Sequence, residues 1–85
     1  MELKVSATSN PAKLAGAIVG FIEEGHEVEL IGVGAGAVNQ AVKSLIVARG
    51  YLATKNKELS CIPSFTLAET ETGEKTAIKI GIKVN

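Results

Sequence analysis

The chain has 85 residues, 46% hydrophobic and 21% charged, with nine basic side chains balancing nine acidic ones. That length allows one domain with a core that is small by itself, and neutrality speaks against a strong, non-specific polyanion coat, which shows as a basic excess. A lone cysteine excludes an internal disulfide, one histidine beside it makes no metal site of the usual His/Cys kind, and no apolar run approaches the ~18 residues of a membrane span.

The elements follow in chain order. Glu2–Thr8 alternates, with Leu3, Val5 and Ala7 on one side and Lys4, Ser6 and Thr8 on the other, the period of a half-buried strand. Ser9-Asn10-Pro11 reads as a helix start, with Asn10 at the N-cap and Pro11 at the first helical position. Leu14, Ile18, Phe21 and Ile22 then share one helical face, Gly16 and Gly20 would admit a second backbone, and Gly25 closes the helix. Val28–Val33 is a second strand, nearly continuously apolar from Leu30, as in a strand central to a sheet. A glycine turn leads into a helix from about Gly36 to Leu52, and Lys55-Asn56-Lys57 is a polar loop. Leu59–Thr70 is extended, with Pro63 marking an edge or a bulge. Thr72-Gly73-Glu74 is a turn, and Thr76–Val84 is the cleanest strand, Ile78, Ile80, Ile82 and Val84 alternating with Lys79, Gly81 and Lys83.

The order β-α-β-α-β-β predicts a single α/β domain over residues 1–85: a two-layer sandwich, its four-stranded mixed sheet carrying both helices on one face through right-handed crossovers, and its last two strands forming a hairpin. The charges divide along the chain. Residues 1–42 hold two lysines against five glutamates, whereas residues 43–85 hold seven basic groups against four glutamates.

Gly32-Val33-Gly34-Ala35-Gly36-Ala37 satisfies the G-x-G-x-x-(G/A) pattern of a dinucleotide turn. That turn belongs after the first strand of a larger parallel sheet, with an acid about 20 residues on. Here it follows the second strand, Glu58 near that offset lies in a loop, and no cofactor is expected. The plainer reading is that the glycines permit a tight strand-to-helix turn and close packing. The helix behind it presents Asn39, Gln40, Lys43, Ser44 and Val47 outward and Val38, Ala41, Val42, Leu45 and Ile46 inward, with Arg49 near the buried stripe and suited to an ion pair. Free amide donors at Gly34 and Gly36, two side-chain amides and an ammonium are partners for phosphate or ribose oxygens. The same residues also make an ordinary solvated face. His26 reads as a solvated turn residue, and Cys61 as a small core residue. With one histidine and no aspartate, no catalytic set assembles, so no enzyme is expected.

LKVSATSNPAKLAGAI, IGVGAGAVNQAVKSLIVARGY, CIPSF and EKTAIKI, in that order, resemble the bacterial stage V sporulation protein S family, whose fold is similar to that of the Alba group of small nucleic-acid-binding proteins. The resemblance implies a dimeric regulator in sporulation and related developmental programmes. It matches Ser9–Lys13 to the Alba phosphate-contact loop, with one lysine where a pair is common, and Asn39 and Lys43 to the region facing nucleic acid. It also matches about Thr70–Lys75 to a hairpin arm, which here holds Glu71 and Glu74 in place of basic residues.

The expected function is a non-enzymatic, homodimeric nucleic-acid-binding regulator of modest affinity. Lys13, Gly34, Gly36, Asn39, Gln40, Lys43, Lys55 and Lys57 form the candidate contact set, for DNA or RNA. The rival is a protein–protein assembly module without nucleic-acid binding, packing through its apolar helices and Gly16/Gly20. A third reading is a small-anion or nucleotide sensor at the Gly32–Gly36 turn. The expected setting is reducing and cytoplasmic, open to nucleoid association, since MELKVSATSN lacks the apolar core of a secretory signal.

Overall fold

A computed structural model describes residues 1–85. The elements are β1 (Glu2–Val5), α1 (Pro11–Glu23), β2 (Val28–Gly32), α2 (Ala35–Ala53), β3 (Leu59–Thr70) and β4 (Gly73–Val84). The sheet order is β1-β2-β4-β3, with β1 and β2 parallel and the other neighbours antiparallel. This is the expected two-layer α/β sandwich.

Local chemistry fixes most boundaries. β1 stops at Val5, short of Thr8, because the hydroxyls that follow divert the backbone. Ser6 N–H donates to Ser9 Oγ (2.9 Å) and Ser9 N–H to Ser6 O (3.1 Å), which turns the chain. Asn10 caps α1 by accepting from Lys13 N–H at 3.1 Å, with Pro11 in the first turn. At the other end Gly25 takes φ +90°, Gly25 N–H donates to Ile22 O and His26 N–H to Phe21 O, both at 3.0 Å. That pair of bonds is the Schellman closure, which needs a residue tolerant of positive φ.

The core is Val5, Ala15, Ile18, Val28, Leu30, Ala41, Leu45, Ala48, Ile80 and Ile82, all buried between the helices and one sheet face. α2 departs from the expected orientation. Its buried positions are Ala37, Ala41, Ser44, Leu45, Ala48 and Leu52, while Val42 and Ile46, expected inside, are exposed by 44% and 64%. Three alanines let α2 sit close to the sheet, and this small-residue face is buried in preference to the larger one. Ser44, expected outside, is buried with its Oγ donating to Ala41 O at 2.6 Å, so the hydroxyl has a partner.

β3 carries the second departure. It pairs with β4 over its whole length, Pro63 opposite Ile80, with no bulge. As an edge strand it tolerates proline. Cross-strand partners share a sheet face, so Cys61, Pro63, Phe65 and Leu67 lie on the helix side with Ile82, Ile80, Ile78 and Thr76. The main helix contacts are with β1 and β2, and beyond Leu59, which packs against the core, the helix side of β3 is left exposed. Cys61 is therefore exposed and not a core residue, and Phe65 and Leu67 are exposed by 79% and 63%.

Candidate nucleic-acid interface

Two parallel strands each followed by a returning helix bring both helix N-termini to one end of the molecule, beyond Val5 and Gly32. Close contacts weld the two starts together. Gln40 Nε2 donates to Ser9 O at 2.8 Å, tying the first turns of α2 to the β1–α1 connection. A Cβ on Gly36 would stand 2.9 Å from Ala7 Cβ, and one on Gly32 would stand 3.1 Å from Ala37 Cβ, so both glycines serve close packing. Gly34 is the N-cap of α2 at φ +89° and gives no side-chain cap. The glycine turn thus has the packing role of its plainer reading, and it leaves the first amides of α2 without a capping side chain.

At this end lie the first turns of both helices, with Lys13 on α1 and Gly34, Gly36, Asn39 and Gln40 at the start of α2, and Lys43 follows one turn further along α2. Lys13, Asn39 and Lys43 are exposed, whereas Gln40 is half-buried and its amide already donates to Ser9. Gln40 therefore shapes the surface more than it offers a free donor. The β3–β4 hairpin projects past the same end, because β2 pairs only with Ile78–Ile82 while β4 runs on to Gly73. Its tip is acidic: Glu69 faces Glu74 across the ladder, with Glu71 in the turn.

Lys55 and Lys57 are not part of this cluster. They follow α2, a 19-residue helix about 28 Å long, and so lie at the opposite end of the molecule. Lys55 Nζ is held by Glu23 Oε2 at 2.7 Å, joining the C-terminal ends of the two helices. Lys57 N–H donates to Leu52 O as part of the α2 closure. Arg49, expected near the buried stripe and ion-paired, is exposed, and the ion pairs present are Lys55–Glu23 and Lys79–Glu29. Gly16 and Gly20 face open space: a Cβ on either would meet nothing within 4 Å.

The hydrogen bond from Lys55, reinforced by its charge, holds the Glu23 carboxyl below its ordinary value. A carboxyl whose pKa is depressed by folding contributes stability above its unfolded pKa, and that contribution is lost as pH falls through the folded one. Glu23→Gln is expected to lower the denaturation midpoint slightly at neutral pH and to match the wild type in acid, below both pKa values. Paired urea melts across pH check this; an equal gap at both ends of the range refutes it.

The lysines of β4 were not legible as a site in sequence. Lys75, Lys79 and Lys83 recur every fourth residue of a strand and therefore share the sheet face away from the helices. Their alternation with isoleucine was the available signal, but it reads equally as the solvated side of a half-buried strand.

The family model described as Stage V sporulation protein S (SpoVS) matches residues 1–85. Among solved structures the chain is similar to Alba from Thermoplasma volcanium, with a TM-score of 0.64 and 13% identity over 100% of this chain and 99% of that one. At that identity the likeness concerns the fold alone.

Proposed function

The chain belongs to the stage V sporulation protein S family, and we propose that it acts as a non-enzymatic cytoplasmic regulator that binds nucleic acid with modest affinity as a homodimer. The observation that carries the reading is the joined helix-start end. Lys13 is exposed in the first turn of α1, Asn39 is exposed near the uncapped start of α2 with Lys43 one turn further along, and Gln40 and Gly36 hold the two loops close. Amide donors at a helix start and adjacent ammonium groups suit phosphate oxygens. The sequence resemblance to a group with an Alba-like fold supports the same partner. A neutral chain with an acidic arm tip favours modest affinity over dense coating.

Support for the dimer comes from apolar surface. On α2, Val42 and Ile46 lie on the flank opposite Gln40, hence away from the β1–α1 connection. Phe65 and Leu67 are exposed on the helix side of β3, the same side of the sheet as α2. Exposed apolar surface of this kind marks an interface, and a small core gains from one.

Fluorescence anisotropy with DNA and RNA oligonucleotides across a salt series tests nucleic-acid binding. Affinity falls steeply with salt, and Lys43→Glu flattens the slope of log K against log[salt] by about 1. No binding at low salt, or a slope indifferent to Lys43→Glu, returns the protein to the assembly reading. The apolar face and the Glu69–Glu74 pair favour that reading as the second choice.

A further inference from the structure

The face of the sheet away from the helices is a second, separate charge pattern. Register places Lys83 beside Ser60, Lys79 beside Ser64, and Lys75 beside Ala68, with Thr66 opposite Ala77. Every charged residue on this face of the hairpin is a lysine, because Glu69 and Glu74 pair on the helix side. The nearest acid is Glu29 of β2, which holds Lys79 loosely at 3.7 Å. Lys75 and Lys83 are exposed and take part in neither ion pair. Ile62, exposed by 56%, sits between Ser60 and Ser64.

We propose that this open sheet face is a track for the phosphate backbone of single-stranded nucleic acid, laid along the Lys75–Lys79–Lys83 row with the β3 hydroxyls beside it. It rests on the nucleic-acid reading above and adds a second contact surface to it. Charge complementarity selects a polyanion, and geometry selects the single strand. Four residues of strand separate successive lysines by about 13 Å, so the row extends over about 27 Å along β4. An extended single strand can follow such a row. A backbone strand of B-DNA completes a turn in about 34 Å and curves away from it. Around Lys79 four strands pair side by side, and set about 4.8 Å apart they are also too broad to enter a major groove about 12 Å wide. The hairpin's aromatic residue, Phe65, faces the other side, so this track reads no bases and is indifferent to sequence.

The test compares Lys75→Gln with Lys83→Gln, as a double variant, against a Lys13→Gln and Lys43→Gln double variant. The probes are a single-stranded oligonucleotide and its duplex, titrated by anisotropy over a salt series. All four lysines are exposed, so folding is retained, and circular dichroism verifies it. The sheet variant is expected to flatten the single-strand salt slope by about 1.4 and to leave duplex binding near wild type, while the arginine version of the sheet pair keeps the wild-type slope. An unchanged single-strand slope in the sheet variant, with a flattened slope in the helix-end variant, overturns the track and leaves the proposed function standing. The reverse pattern keeps the track and overturns the helix-end site. Equal loss on single strand and duplex overturns the single-strand assignment, and a wild type that binds neither probe overturns both proposals.

Discussion

Leu30→Ala lowers the melting temperature by about 10 °C or more. Leu30 is 1% exposed in the middle of β2, with Leu3 beside it on β1 and Ile80 on β4. Removing its branched end leaves a cavity that the flanking strands cannot close without breaking their ladders, at a cost of about 2–5 kcal/mol. For a chain of this size each kcal/mol is worth about 4–8 °C, and total stability is only about 5–15 kcal/mol. Leu30→Met keeps most of the volume and should cost less than about 1.5 kcal/mol. Thermal melts of the three proteins decide it. If Leu30→Ala melts with the wild type, the core is not centred on β2.

Ile46→Glu combined with Phe65→Glu is expected to convert the proposed homodimer to a folded monomer. Both side chains are largely exposed in the single chain, at 64% and 79%, so monomer packing barely notices the change. In the dimer each would place a carboxylate in an apolar contact, and loss of an interface anchor costs about 2 kcal/mol or more. Together they should weaken self-association roughly 1,000-fold. Sedimentation velocity gives the mass, and the far-ultraviolet spectrum reports that the fold is intact. A wild type that sediments as a monomer, or a double variant that stays dimeric, removes this face from the assembly. Because Cys61 lies on the same uncovered side of β3, its rate of alkylation should rise when the dimer dissociates.

The structure also separates two roles that the glycine-rich stretch merges. Gly32 and Gly36 are there for approach, to Ala37 and Ala7, and Gly34 for its positive φ. A pattern of alternating glycines therefore arises from close packing and turn geometry, which is why it matches a dinucleotide turn without the larger sheet such a turn serves. The anion-binding potential that remains comes from the uncapped helix start and from Lys13 and Lys43 around it.

What could be read from the chain by itself was local. Asn10-Pro11 and Gly25 bounded α1, the Ile78–Val84 alternation set β4, and the glycine turn marked the start of α2, because caps, φ preference and periodicity act within a few residues. The element order reached the two-layer sandwich, and the resemblance of its motifs reached the family and its Alba-like fold. What only the tertiary structure decided was which face of each element is covered. α2 is apolar on nearly every side, so Val42 and Ser44 could exchange places on a helical wheel, and the close approach permitted by Ala37, Ala41 and Ala48 settled the choice. Alternation in β3 defined two faces without saying which positions would be covered, and only Leu59 packs against the core while Cys61, Phe65 and Leu67 stay exposed. The sorting of Lys75, Lys79 and Lys83 away from Glu69 and Glu74 depended on hairpin register, and the removal of Lys55 to the far end on the length of α2. Burial and charge neighbourhood are set by partners distant in sequence, and only the folded chain brings them together.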